Sequence, residues 1–226
     1  AWLCRQGNRA LTLRLEPRGG GGETVSQEYK TIQREKARLC LCIVDSDSKY
    51  AGAPLGMTAK HLMALDQPSS PLCQCVVLRV METENLVPVG VYERASGRDP
   101  ARKAAVWLLC RMDEAGISDA RKYYDMKRGL RMEKLEPGSR APAFREYWLG
   151  VLSAMGVQLA DLKQSGYTYG FGDRILRDVI EQLLLRNGPK EIDSLVCAAL
   201  RPEWDRVGQC VAHWCCGMPA MVLAGA

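Results

Sequence analysis

Two pairs of acidic residues follow apolar runs that have the composition of buried strands. Asp45 and Asp47 come directly after LCLCIV, and Glu82 and Glu84 come shortly after CVVLRV. The members of each pair are two positions apart, so in an extended chain they point to the same side. Converging carboxylates repel one another unless a cation neutralises them, and a hard cation such as Mg²⁺ or Mn²⁺ prefers oxygen ligands. The spacing therefore predicts a divalent-metal site held by these four carboxylates.

The elements that would position the carboxylates alternate between strand and helix. Strands are predicted at RALTLRLEP, RLCLCIVDSD and PLCQCVVLRV, and amphipathic helices at ETVSQEYKTIQREKA and MTAKHLMALD. Pro17 and the run Gly19 to Gly22 end the first of these strands. Alternation of this kind indicates an α/β domain with a mainly parallel sheet, whose working groups lie at the carboxyl ends of the strands. Taken alone, each acidic motif is more typical of a turn, a solvated loop or a helix start than of a metal site.

The second half of the chain has a different pattern. Helix-length periodic segments occur at PARKAAVWLLCRMDEAG, APAFREYWLGVLSAMG, DRILRDVIEQLLLRNG and EWDRVGQCVAHWCCG. We therefore predict an α/β domain over residues 1–98, followed by a mostly helical region over residues 99–226.

These motifs together resemble the Toprim fold, and in particular the OLD-like and related Toprim nucleases of bacterial defence systems. The resemblance covers about residues 9 to 90 and depends on the D-x-D at Asp45 and Asp47, on RGGGG at Arg18 to Gly22, and on METENLVP after the next strand. It implies that the two aspartates bind Mg²⁺ or Mn²⁺ and that Glu82 and Glu84 assist them. It also implies a lysine near the metals, for which Lys127 is the candidate, and so a catalytic set of Asp45, Asp47, Glu84 and Lys127.

The chain departs from the Toprim pattern at its start. A Toprim domain opens with a strand that ends in a functional glutamate, followed by a helix and a second strand. Only one helix separates Glu16 from Asp45, so Glu16 falls on what would be the second strand. We therefore expect the first strand and its glutamate to lie before Ala1, which makes the Toprim-like domain incomplete at its N-terminus.

A basic and aromatic stretch in the helical half suits nucleic-acid binding. The segment ARKYYDMKRGLRMEK mixes tyrosines with cations, a combination that contacts both phosphates and bases. A solvated surface explains the charges equally well. The candidate nucleic-acid contacts are Arg121, Lys122, Lys127, Arg128 and Arg131.

The leading interpretation is a metal-dependent nuclease that cleaves DNA, or less favourably RNA, as an anti-phage defence effector. The net charge of +5 suits a polyanion but is too small to establish one. A partner ATPase or a homo-oligomer is expected from the family analogy. Two alternatives remain open: a non-catalytic Toprim-like interaction module, and a D-x-D nucleotide-sugar glycosyltransferase.

The ten cysteines are interpreted as reduced thiols. Cys40 and Cys42, like Cys73 and Cys75, alternate with other residues inside predicted strands, and neither pair has the usual C-x₂₋₄-C zinc spacing. A metal cluster at the C-terminal CVAHWCCG is a weaker hypothesis than an apolar helix face. No apolar run is long enough to cross a bilayer, and the predicted location is the cytoplasm.

Overall fold

The computed structural model describes residues 23–66, 72–186 and 194–216. The predicted strand at residues 9–17 and the glycine run at residues 19–22 lie outside these ranges. Within them the protein is a mixed α/β structure, which confirms the predicted class at that level.

The N-terminal elements follow the predicted alternation. Helix α1 (Glu23–Glu35), strand β1 (Cys40–Val44), helix α2 (Met57–Leu65) and strand β2 (Cys73–Val77) succeed one another. Within the described ranges the sheet consists of β1 and β2, which pair in parallel with Cys40 opposite Cys73 and Cys42 opposite Cys75. The β-α-β order places α2 in the crossover that a parallel pair requires.

The remaining elements are helical, and helices were predicted for those that follow residue 98. The four long helical segments of the second half are all present, and two short 3₁₀ helices accompany them. In chain order the elements are a first 3₁₀ helix (Thr83–Leu86), α3 (Val89–Ser96), α4 (Pro100–Glu114), a second 3₁₀ helix (Ser118–Tyr123), α5 (Met132–Leu135), α6 (Pro142–Ala154), α7 (Leu159–Ser165), α8 (Ile175–Arg186) and α9 (Arg201–Cys216). None of the helices in the described ranges is both long and apolar enough to cross a membrane.

By internal contacts the chain divides into two compact units. Unit 1 comprises Ala1–Val44, Gly56–Val77 and Pro202–Ala226, and unit 2 comprises Asp45–Leu55 and Leu78–Arg201. This division follows spatial contacts, and the domain boundary predicted after residue 98 stays a prediction.

Unit 1 is organised around the two-stranded sheet. Tyr29 of α1 is buried, and its hydroxyl donates a hydrogen bond of 2.5 Å to Asp66 Oδ1 at the end of α2. From α9, the Arg206 guanidinium donates to the Val77 carbonyl oxygen at 2.8 Å, at the end of β2. The first bond joins α1 to the end of α2, and the second joins α9 to the end of β2.

Unit 2 has a large aromatic and aliphatic core. Leu108 and Leu109 of α4 and Trp148 of α6 are almost fully buried in it, and the rings of Tyr92 and Phe171 stack with centroids 4.4 Å apart. Burial of side chains of this size contributes about 1.5 to 3 kcal/mol each. Unit 2 contains the four carboxylates of the predicted metal site.

Candidate carboxylate and lysine site

The segment after β1 lies beside the segment after β2. The Asp47 amide donates to the Met81 carbonyl oxygen at 2.9 Å, and the Ser46 hydroxyl donates to the Val80 carbonyl oxygen at 2.6 Å. These bonds bring the two acidic motifs together, as their positions after neighbouring strands predict.

Asp45 is held by the second acidic motif. Its Oδ1 accepts two hydrogen bonds from Thr83, one from the backbone amide and one from the side-chain hydroxyl, both 2.8 Å long. Asp45 is thus fixed at the start of the first 3₁₀ helix, next to Glu82 and Glu84.

Lys127 provides the positive charge at these glutamates. Its Nζ lies 2.9 Å from Glu84 Oε1 and 3.4 Å from Glu82 Oε2. Glu84 is almost fully buried, and Glu82 Oε2 is buried without accepting a hydrogen bond. We call Asp45, Glu82, Glu84 and Lys127 the carboxylate–lysine cluster.

A tight turn presents Lys127 to the glutamates. Asp125 begins the turn by accepting a hydrogen bond from the Arg128 amide, and the Lys127 carbonyl oxygen accepts one of 2.9 Å from the Gly172 amide. Gly129 has a φ of +71°, and a Cβ at this position would lie 1.9 Å from the Thr168 carbonyl oxygen. Only glycine allows so close an approach of the two backbones.

Asn85 fixes the backbone beside the glutamates. It is not among the residues predicted from the sequence to be functional. Its side-chain amide donates to the carbonyl oxygens of Arg121 and Tyr124 at 2.6 and 2.8 Å, and its Oδ1 accepts from the Glu82 amide at 2.8 Å. Asn85 is fully buried and forms part of the ETEN motif. The motif draws attention to the residue, but the partners lie 36 and 39 residues away and leave no local signal.

Burial sets the protonation of the cluster. Burial raises the pKa of Glu82 to about 7. The positive charge of Lys127 lowers this pKa, whereas the negative charges of Asp125 and Glu84 raise it further. Burial also raises the pKa of Asp45, although the hydrogen bonds from Thr83 oppose it. For Lys127, burial lowers the pKa, but the hydrogen bond to Glu84 and the charges of both glutamates outweigh burial and raise it overall.

Asp47 differs from the other carboxylates. Its side chain is exposed and makes no hydrogen bond or ion pair with any described residue. Its φ is +55°, which Asp tolerates better than most residues. The expectation that Asp45 and Asp47 face the same way assumes an extended chain, and this φ ends the extended conformation at Asp47.

The candidate nucleic-acid residues differ in burial and in the partners that they contact. Arg121 is 1% exposed, and its guanidinium donates to the Val87 carbonyl oxygen at 3.0 Å, so the prediction that it contacts a surface ligand does not fit. The second 3₁₀ helix turns this side chain inward, which the charge pattern alone does not reveal. Lys122 forms an ion pair of 2.7 Å with Asp119, and Arg128 is exposed.

Arg131 lines a pocket with two further cations. Lys49, Arg131 and Lys134 surround a cavity of about 310 Å³, including its open mouth, together with Asp125 and aromatic residues of the second 3₁₀ helix and α6. Lys134 Nζ lies 5.6 Å from the Phe144 ring centroid. Burial lowers the pKa of Lys134, and the charges of Arg131 and Lys49 lower it further. We call this feature the cationic pocket. An anion entering it would relieve the repulsion among its cations.

The described residues contain no group of three or more His, Cys, Asp or Glu side chains arranged to hold a metal ion. The site nevertheless has features that match the ligand chemistry of a hard cation. These are oxygen donors, raised carboxyl pKa values, and a Glu82 Oε2 that accepts no hydrogen bond. The predicted role of Mg²⁺ or Mn²⁺ therefore stays a proposal.

Comparison of the chain with protein-family models, with curated proteins and with solved structures gives no match in any of the three. Function is therefore inferred from the chemistry of the described side chains.

Proposed function

We propose that this chain is a divalent-metal-dependent nuclease with a Toprim-like α/β fold, acting on DNA in preference to RNA as an effector of anti-phage defence. The observation that carries the proposal is the carboxylate–lysine cluster. Three carboxylates from two segments that follow neighbouring strands interact there with one lysine. The defence role and the Toprim assignment depend on the family analogy.

The metal ligands proposed are Asp45, Asp47, Glu82 and Glu84. Mg²⁺ or Mn²⁺ bound by such carboxylates supplies an activated water and stabilises the leaving oxygen of a phosphodiester. The protein contributes oxygen donors whose mutual repulsion favours a cation, and they range from buried Glu84 to exposed Asp47. Glu82 supports this role because its Oε2 accepts no hydrogen bond from the described residues, and a metal ion would replace its ion pair with Lys127.

The cationic pocket supports a phosphodiester substrate. Its cations would bind a backbone phosphate, and the aromatic residues Tyr123 and Phe144, which also line it, offer faces for base stacking. Asp125 lines this pocket, and its charge also acts on Glu82. Asp125 therefore lies near both the pocket and the cluster, and a strand bound in the pocket would bring a phosphodiester near the cluster.

The test is cleavage of plasmid DNA, single-stranded DNA and RNA of defined length, with Mg²⁺ or Mn²⁺ and with EDTA. Asp45→Asn and Asp47→Asn remove charge while keeping an oxygen acceptor, and exposed Asp113→Asn is the matched control. We expect metal-dependent cleavage that both variants lose and the control keeps, with unchanged circular dichroism. Cleavage that survives in both variants, or no cleavage of any substrate, would overturn the proposal.

One observation favours a second candidate, a non-catalytic Toprim-like interaction module. Lys127 forms ion pairs with both glutamates. In a binding module this ion-pair network would be structural, and nucleic acid would bind equally well in EDTA and with Mg²⁺. Filter binding of a labelled single strand under both conditions, combined with the cleavage assay, separates the candidates.

The proposed setting is the cytoplasm, with a homo-oligomer or a partner ATPase as the working assembly. The described cysteines are free thiols, which supports a reducing compartment. Light scattering of the purified chain tests self-association. A monomer at all concentrations would leave the partner ATPase as the proposed assembly.

A further inference from the structure

Four thiols share one face of the two-stranded sheet in unit 1. The parallel register sets Cys40 opposite Cys73 and Cys42 opposite Cys75. Residues two positions apart on a strand point to the same face, so both cysteine pairs lie side by side on it. The carboxylate–lysine cluster in unit 2 does not use these residues.

The backbone already provides the spacing that a disulfide requires. Neighbouring strands lie roughly 4.8 Å apart, and cysteines are bridged when their Cα atoms are about 4.4 to 6.8 Å apart. Register partners in a parallel ladder have Cα atoms within this window. The Cys42 and Cys75 side chains interact with each other, as do those of Cys40 and Cys73.

We propose that Cys42 and Cys75 are a redox-active thiol pair, oxidised by peroxides to a reversible cross-strand disulfide. The Cys42 thiolate attacks one peroxide oxygen, the O–O bond breaks, and Cys42 becomes a sulfenic acid with release of hydroxide. The Cys75 sulfur then attacks the Cys42 sulfur, and the S–OH bond breaks. Hydroxide and the Cys75 proton leave as water. In sum, two thiols lose two electrons and two protons while the peroxide is reduced to two waters.

Two observations select this pair over Cys40 and Cys73. Cys73 is buried, whereas Cys42 and Cys75 are both partly exposed. The hydrogen bond from Cys75 lowers the pKa of Cys42 and so favours the reactive thiolate, although burial and the charge of Asp66 oppose this. By contrast, burial raises the pKa of Cys40 to about 11. The thiolate is the species that reacts with peroxide.

A metal site is the rival interpretation of four clustered thiols. The described residues offer no arrangement of three or more ligands for a metal, and these cysteines lie inside strands rather than in a loop. Disulfide chemistry needs only the pairwise contact that the register provides.

The test uses the full chain, reduced, freed of reductant, exposed to a small excess of hydrogen peroxide and then alkylated with N-ethylmaleimide. Non-reducing tryptic digestion followed by mass spectrometry searches for a link between the peptides spanning residues 39–49 and 61–79. Each peptide holds one member of both pairs, so Cys40→Ser/Cys73→Ser and Cys42→Ser/Cys75→Ser assign the bond, and Cys110→Ser is the matched control.

We expect the linked peptide, lighter than the two reduced peptides by two hydrogens, in the native chain, in the control and in Cys40→Ser/Cys73→Ser. It should be absent from Cys42→Ser/Cys75→Ser and from the chain oxidised in guanidinium, and a phosphine reductant should restore both thiols. A link that persists in Cys42→Ser/Cys75→Ser overturns the assignment. So does a native Cys42 that stays a free thiol or ends as a sulfinic acid without a link.

Discussion

The raised pKa of Glu82 predicts that its charge destabilises unit 2 at neutral and higher pH. The pKa lies at about 7 against an ordinary value of 4.5, and the side chain is 14% exposed. At about 1.4 kcal/mol per unit, this difference corresponds to about 3 kcal/mol. Between these two pKa values the folded chain binds more protons than the unfolded chain, so the contribution of Glu82 to stability falls as pH rises.

The perturbation is Glu82→Gln, which keeps the shape of the side chain and removes its titration. We expect the variant to match the parent near pH 4.5 and to be more stable by about 3 kcal/mol near pH 8, because the glutamine never becomes charged. Urea unfolding followed by tryptophan fluorescence across this range measures the difference. Exposed Glu133→Gln is the matched control and should give a curve parallel to that of the parent.

The reasoning fails if the stability difference between Glu82→Gln and the parent is the same at every pH. It also fails if the difference shrinks as pH rises, since that would mean the folded state favours the charged carboxylate. Carbon-13 titration of labelled glutamate side chains provides an independent reading. The resonance missing from Glu82→Gln should titrate near pH 7.

Three further substitutions test the surroundings of the site by urea unfolding at neutral pH. Lys127→Met should lower the free energy of unfolding by about 2 kcal/mol, because it leaves buried carboxylates without a cation. Lys163→Met breaks an exposed ion pair and should lower it by less than about 0.5 kcal/mol. Equal losses would contradict a stabilising role for Lys127 in the cluster. Asn85→Ala should cost about 2 to 3 kcal/mol by leaving buried backbone groups unpaired, and a loss within error would remove its bracing role. Gly129→Ala should lower the free energy of unfolding by more than about 3 kcal/mol, because its Cβ would clash with backbone atoms. Gly138 has a similar positive φ but open space around it, so Gly138→Ala should lower it by about 1 kcal/mol. Similar losses in the two variants would mean that φ alone determines the effect.

The secondary structure could be predicted because its signals are local. Tyr29 and its periodic neighbours indicate α1, and the short apolar runs around Cys42 and Val76 indicate β1 and β2. Each pattern reports the environment of a few consecutive residues, and the structure places helices and strands at these positions. The meeting of the two acidic motifs also followed from their places after neighbouring parallel strands.

What could not be predicted depends on contacts between distant residues. The burial of Arg121 is decided by carbonyl oxygens and packing partners that its own segment does not reveal. The same holds for Asn85, whose partners lie in the second 3₁₀ helix and just after it. Asp47 has a positive φ and pairs with Met81, so a rule for extended strands fails at that residue.

The central claim is that the carboxylate–lysine cluster and Asp47 bind a divalent cation. The most direct measurement is calorimetric titration of Mn²⁺ into the apo chain at a pH above 7, beside Asp45→Asn/Asp47→Asn. We expect saturable binding to the parent and no binding to the variant. No binding to the parent, or undiminished binding to the variant, would contradict it.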